Sequence, residues 1–300
     1  MSKKIIIGVR GSKLSLAYAN KVVGLLNLKI GNNKFEIKIK TIKTSGDLSK
    51  NEKTVSIGGK NIFCKEIEDQ LSKEHINIAV HSLKDMDSNE RDDLTIGAYI
   101  KRNDPRDALI LNKNKSIDSD KLIIGSSSKR RQFQIKQMHN NFSFKDIRGN
   151  IDTRIKKIDE GHYDGIILAS AGLSALNFEN IVSKFYPTNK IIPAAGQGII
   201  AVQCRKEDNF ILEILKKIND KETRTCAIAE RSIIKTIGGD CHTAIGAYAI
   251  IKENKLIINS ELFSLDGKES FKLEEIGDIH QPNELGNNVG KKLREKINNF

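Results

Sequence analysis

The sequence predicts an α/β protein, with two open α/β domains followed by a smaller C-terminal α+β domain. Three observations predict it. Short apolar runs such as "IIIGV" and "GIILA" alternate with helix-spaced amphipathic segments through most of the chain, the rhythm of largely parallel sheets. Glycine and serine punctuate the strand-to-helix junctions. After Cys241 the rhythm changes to a hairpin and one helix, a unit of roughly 80 residues. At 300 residues the chain can bury two or three cores.

The elements follow in order. "KKIIIGV" reads as a strand. Leu14, Tyr18, Val22 and Leu25 then recur at helical spacing, so a helix begins near Ser12. In "KFEIKIKTIK", Phe35, Ile37, Ile39 and Thr41 alternate with charge, as in a half-buried strand. Residues 44–61 are polar and glycine-containing, and read as a long mobile loop. "IFCKEIEDQLSKEH" is a helix, and "INIAV" is a buried strand from whose C-terminal end "HSLKD" departs. "LTIGAYI" and "DALIL" are strands. "KLIIGSSSKRRQFQIKQM", "FSFKDIRGNIDTRIKKIDEG" and "YDGIILASAGLSAL" each read as strand, turn and helix. "PAAGQGIIAVQC" is a turn and a strand. Helices follow over 208–219 and 222–236. A hairpin around "KENK" and an amphipathic helix through "ELGNNVGKKLREKI" complete the chain. No internal repeat stands out.

Composition narrows the function. No apolar run approaches the length of a membrane helix, and the N-terminal run meets Arg10 too early for a signal peptide, so a cytoplasmic location is expected. The four cysteines, Cys64, Cys204, Cys226 and Cys241, lie far apart without a CxxC. That is neither a disulfide framework nor a zinc pattern, and no metal is expected. A net charge of +12 suits compositional bias, nucleic acid or a small polyanion alike. Aromatics are only 5% and Trp is absent, which weakens a base-stacking surface. GxGxxG, GxxxxGK[ST] and HExxH are all absent.

Three basic junctions stand between a strand and a helix: Arg10 with Ser12, Ser126–Ser128 with Arg130 and Arg131, and Arg148 with Gly149 and Asn150. Helix N-termini offer free N–H groups, and arginine adds paired donors for carboxylate or phosphate. Ligands of open α/β sheets bind at the carboxyl ends of strands, so a shared anionic cleft is expected. Serines that merely cap helices beside solvated arginines would look the same at any one junction. Asp85, in "AVHSLKDMDS", is a candidate acid/base or stabiliser of a cationic intermediate, or a capping residue in an ordinary ion pair. Cys241 lies in "IGGDCHTAIG", between a helix and a strand. It is either an inert small side chain or an accessible thiol suited to covalent attachment.

Several stretches resemble one family together, in order and at matching spacing. They are "RGSKLSLAYA", "GGKNIFCKE", "NIAVHSLKDM", "RNDPRDAL", "GSSSKRRQ", "IRGNIDTR", "GHYDGIILASAGL", "PAAGQGIIAVQCR" and "GGDCHTAIGAYA", from residue 8 to about 249. The family is porphobilinogen deaminase, also called hydroxymethylbilane synthase. The resemblance implies a transferase of tetrapyrrole and heme biosynthesis. Such an enzyme deaminates four porphobilinogen molecules and condenses them into linear hydroxymethylbilane, on a dipyrromethane cofactor held through a thioether. It places that cysteine at Cys241 and the essential aspartate at Asp85. Cofactor contacts fall on Lys84, Ser128, Arg130, Arg131 and Arg148, substrate contacts on Arg10, Ser12, Arg148 and Arg154, and Lys60 falls in a mobile loop.

The same resemblance implies two α/β domains of the type II periplasmic-binding-protein kind, with the ligand between them. Domain 1 would comprise 1–99 and 200–218, domain 2 100–199 and domain 3 219–300. A monomer is implied, with no nucleic acid and no membrane. Two departures stand out. "GGKNIF" has Asn61 where many members have glycine, and "GDCHTA" has His242 and lacks a proline.

Overall fold

The computed structural model describes residues 3–31, 35–48, 64–238 and 243–297. The first sheet contains β1 (Lys3–Arg10), β2 (Phe35–Ile42), β3 (Ile78–Ser82), β4 (Leu94–Tyr99) and β10 (Ile200–Arg205), in the order β2-β1-β3-β10-β4. β1 runs parallel to β2 and β3, while β10 is antiparallel to β3 and β4. The second sheet contains β5 (Asp107–Leu111), β6 (Leu122–Gly125), β7 (Phe142–Lys145), β8 (Gly165–Ala169) and β9 (Lys184–Tyr186), in the order β7-β6-β8-β5-β9. Here β5 is the antiparallel strand. The two sheets therefore share one topology, each with a single reversed strand supplied just after the chain crosses between them. This is the two-lobed arrangement of type II periplasmic binding proteins. The repeat is architectural and leaves no pattern in the residues.

The helices are α1 (Lys13–Ile30), the single turn α2 (Ser45–Leu48), α3 (Lys65–Ser72), α4 (Lys129–Lys136), α5 (Ile151–Asp159), α6 (Ser170–Ala175), α7 (Asn209–Lys216), α8 (Lys221–Ile237) and α9 (Pro282–Ile297). Buried Tyr18, Val22 and Leu26 of α1 pack with Ile5, Ile7 and Val9 of β1 on one face of the first sheet. On the other face, Ile67 and Leu71 of α3 pack with Ile42, Ile76, Ala79 and Leu94. Two covered faces explain why these strands read as short continuous apolar runs. They also correct one expectation. Phe35, Ile37 and Ile39 pack as the alternation predicts, but Thr41 is exposed and Ile42 is buried, because the end of β2 serves the core under α3.

The third domain is a three-stranded antiparallel sheet, β11 (Ile245–Lys252), β12 (Lys255–Phe263) and β13 (Ser270–Asp278), backed by α8 and α9. The hairpin turns at Glu253 and Asn254, both with positive φ (50° and 59°), as a tight two-residue turn requires. β9 and β13 were not anticipated. β9 is three residues long, and β13 alternates exposed and half-buried side chains without an apolar run. Among the described residues no helix is long and apolar enough to cross a membrane.

The crossings, residues 100–106 and 187–199, touch each other: the backbone N–H of Asn103 donates to the carbonyl of Gly198 at 2.9 Å. A Cβ on Gly198 would come within 2.7 Å of the Asn103 carbonyl, and φ there is +84°, so glycine is required. Fully buried Glu230 of α8 joins both crossings to the third sheet. Its carboxylate accepts from Arg102 Nη2 at 2.7 and 2.6 Å, from the Gly196 N–H at 2.7 Å and from the Ala249 N–H at 2.7 Å. Glu230→Ala strands a buried guanidinium and two backbone donors. It should cost about 3–5 kcal/mol of folding stability, to be read from denaturant midpoints against the wild type.

Candidate active site

Four chain segments leave the carboxyl ends of parallel strands and meet between the lobes. β1 ends at Arg10, and Ser12 caps α1, its Oγ accepting from the Ser15 N–H at 3.2 Å. β3 ends in the 3-10 turn Leu83–Asp85. β6 leads through the three serines to α4, where Ser128 Oγ accepts from the Arg131 N–H at 3.5 Å. β7 leads through Arg148–Asn150 to α5. Together they enclose a cavity of about 220 Å³ whose wall includes Arg10, Ser12, Lys84, Asp85, Arg131 and Arg154.

Asp85 is exposed to this space at the tip of its turn. Neighbouring Lys84 is half-buried and, among the described residues, its ammonium has neither a hydrogen bond nor an ion pair. Burial, then the adjacent Arg131, push its pKa down to about 8, against the pull of Asp85 and Asp107. Arg154 donates through Nε to the Gly149 carbonyl at 2.7 Å. Burial and Arg131 lower it to about 10, so it stays cationic at neutral pH.

The two tandem arginines take different roles. Arg130 is buried, and its Nη1 donates to Asp107 at 2.7 Å and to the Ile192 carbonyl at 2.9 Å. It does not reach the cavity wall. Arg131 also binds Asp107, through Nε at 3.0 Å and Nη2 at 2.8 Å, yet it lines the cavity. Asp107 is fully buried and accepts a further bond from Gln197 at 2.9 Å. Burial alone would raise its carboxyl, but the guanidiniums of Arg130 and Arg131 outweigh burial and hold it well below the usual carboxylate range.

The remaining sequence-predicted residues sort as follows. Ser128 caps its helix and Arg148 is exposed, and neither lies on the cavity wall. Lys60 and Cys241, with Asn61 and His242, lie outside the described residues, as does most of the loop assigned to 44–61. The structure adds wall residues that the sequence reading did not place there. Cys64, read as packing within a helix, immediately precedes α3 and lines the cavity, its Sγ donating to the Asp85 carbonyl at 3.7 Å. Burial and then Asp85 push this thiol up, so it is a poor nucleophile. His81 also lines the wall, with Nε2 buried and unpartnered. Burial takes its pKa down to about 4, although Gln203 and Asp85 favour the charged form. Its place in "HSLKD" was the available signal. Asp107 and Gln197 carried none.

The cavity wall is thus mainly cationic, with the Asp85 carboxylate set among its cations. Binding of a dicarboxylate should weaken as pH rises through about 8, where Lys84 loses its proton. Lys84→Arg should move that loss beyond about pH 10, because guanidinium keeps its charge. Calorimetric titration across pH 6.5 to 9.5 (the experimental range, roughly) checks both.

Residues 5–213 match the family model for porphobilinogen deaminase, dipyromethane cofactor binding domain, and residues 224–295 match the porphobilinogen deaminase C-terminal domain. The chain is similar to the porphobilinogen deaminase of Coxiella burnetii, 41% identical over 253 residues, 84% of this chain and 82% of that one. It is similar also to that of Prochlorococcus marinus subsp. pastoris, 40% identical over 299 residues, 98% of this chain and 93% of that one. Among solved structures, similarity extends to a double mutant of the VFT2 domain of Bordetella pertussis BvgS, at 11% identity and a TM-score of 0.43, over 72% of this chain and 85% of that one. With its two family domains spanning nearly all of its length, the chain belongs to the porphobilinogen deaminase family.

Proposed function

We propose that the cleft deaminates porphobilinogen and condenses four molecules of it into hydroxymethylbilane, with a dipyrromethane held through a thioether to Cys241. The observation that carries the reading is Asp85: an exposed carboxylate at a strand end, inside a wall supplied with Lys84, Arg131, Arg154 and Arg10.

The donor set fits the cofactor. Each pyrrole bears an acetate and a propionate, so two linked pyrroles are a polyanion with N–H groups between the charges. Lys84, Arg131 and Arg154 would hold the carboxylates, Ser12 and the first turn of α1 would add neutral donors, and Asp85 would take the N–H groups. Cys241 falls between the end of α8 and the start of β11, and β11 is tied to the second crossing by the Ala247 N–H on the Pro193 carbonyl at 2.9 Å. That attaches the cysteine's domain beside the cleft. When bound, the dipyrromethane supplies the nucleophilic pyrrole carbon from which the chain is extended.

The protein's part is positioning and charge. Porphobilinogen would enter with its carboxylates on the arginines and its aminomethyl group beside Asp85. Its C–N bond breaks, ammonia leaves with the electron pair, and the Asp85 carboxylate stabilises the methylene-pyrrole cation left on the substrate. After the new C–C bond forms, Asp85 is placed to take the proton released from the attacked carbon. His81 stays neutral, so it adds no cation to compete for Asp85. Arg130 acts indirectly: it shares Asp107 with Arg131 and so fixes the guanidinium that does reach the wall. Ser128 and Arg148 remain in the reading as cofactor contacts, Arg148 also as a substrate contact, and Lys60 as part of a mobile loop. The domain limits 1–99 with 200–218, 100–199 and 219–300, a monomeric state and a cytoplasmic location belong to the same reading.

Two measurements test it. Intact mass under denaturing conditions should show an excess equal to two linked pyrroles, absent from Cys241→Ser; active protein without the excess would refute the cofactor assignment. Asp85→Asn should bind porphobilinogen but lose about 10²–10⁴-fold in kcat, checked by single-turnover release of ammonia.

A further inference from the structure

Lys13 and Asp152 face each other across the mouth of the cleft. Lys13 is the first residue of α1, on the first lobe, and Asp152 lies in the first turn of α5, on the second. Their side chains form an ion pair at 3.0 Å, and both line the cavity. The lobes also touch beside them, where Leu14 of α1 and Ile151 of α5 approach Gly172 of α6.

The pair is built to be exchanged. The Lys13 side chain is 74% exposed and that of Asp152 35%, so water and salt screen their attraction. Asp152 is not stranded when Lys13 leaves. It sits at a helix N-terminus, where negative charge is favoured, and its Oδ1 accepts from the Thr153 N–H at 3.0 Å. The ammonium of Lys13, on a flexible stem, can turn from Asp152 into the cavity. A bound polyanion would compete for it with several carboxylates against one. Resting on the functional reading above, we propose that Lys13 is a further binding residue: it is held on Asp152 across the closed cleft and transfers to a carboxylate of the growing pyrrole chain, which unties the lobes as the chain lengthens.

The hydrogen bond from Lys13 is the largest influence holding the Asp152 carboxyl below its usual range, consistent with a formed pair in the substrate-free protein. Untying the lobes at each addition would answer a problem the reaction poses, since one small cavity must accept a bound chain that lengthens with each of four additions. No covalent step is added, because the exchange only swaps counter-ions.

The test uses the substrate-free holoprotein and iodoacetamide, with modification of Cys64 followed by peptide mass spectrometry. Cys64 is 2% exposed on the cleft wall, so its alkylation reports opening of the lobes. Lys13→Ala and Asp152→Ala should each speed alkylation about 1.5- to 5-fold, the range an exposed ion pair supports. The double variant should be no faster than either single one. The charge-swapped protein, Lys13→Asp with Asp152→Lys, should return toward the wild-type rate. Unchanged rates in the single variants, or single effects that multiply in the double variant, would overturn the tie.

The transfer has its own readout. Lys13→Ala should raise KM for porphobilinogen several-fold, while Asp152→Ala, which frees Lys13, should lower it. A KM raised by both substitutions would overturn the transfer. Wild-type protein that turns over no porphobilinogen would overturn the functional reading and the transfer with it. The alkylation result would still decide the inter-lobe tie on its own.

Discussion

The carboxylate of Glu230 is the point on which the arrangement of the three domains depends. It has no exposure to water, and its two oxygens collect Arg102 from the first crossing, the Gly196 N–H from the second and the Ala249 N–H from the third sheet. Arg102 completes the contact through Nη1, which donates to the Ala249 carbonyl at 3.1 Å. A charge taken out of water is tolerated only when its partners are in place. The three segments must therefore arrive together. This is how the third domain can be held in fixed relation to a cleft formed by the other two.

A second buried carboxylate organises the cleft itself. Asp107 begins the reversed strand β5 and gathers Arg130, Arg131 and Gln197. Without it, two adjacent guanidiniums on one short helix would repel each other in a low-dielectric setting. With it, Arg130 is consumed as structure and Arg131 is held rigidly on the wall. Burial, and then the charge of Arg131, lowers the affinity of both Lys84 and Arg154 for protons. That repulsion is a standing preference for anions, and it is relieved when a polycarboxylate binds. Asp85, projecting from a 3-10 turn at the end of β3, is opposite in sign to these three cations, which suits a group meant to meet a cation formed on the substrate.

The lobes are tied weakly at the mouth and strongly at the crossings. At the mouth there is an exposed ion pair and an apolar contact around Gly172. At the crossings there are the backbone hydrogen bond from Asn103 to Gly198 and the sealed Glu230 cluster. Hinge motion needs this distribution: a fixed axis on one side and a contact of low energy on the other.

Much of this is legible in the sequence. Periodicity located most helices and strands, and the caps Ser12 and Ser128 fell where the residues promised. These depend on neighbours a few positions apart, which any sequence displays. The strand-end placement of Asp85 and Lys84 was likewise local. What only the tertiary structure decided were partners distant along the chain: Arg130 with Asp107, separated by 23 positions, and Arg102 with Glu230, separated by 128. Arg130 and Arg131 are indistinguishable as letters, and burial against Asp107 alone separates strut from wall. Cys64 read as packing because its burial against Asp85 depends on where two segments meet. The strand exchange between the sheets was expected from family resemblance, since local pattern carries no information about which sheet a strand joins.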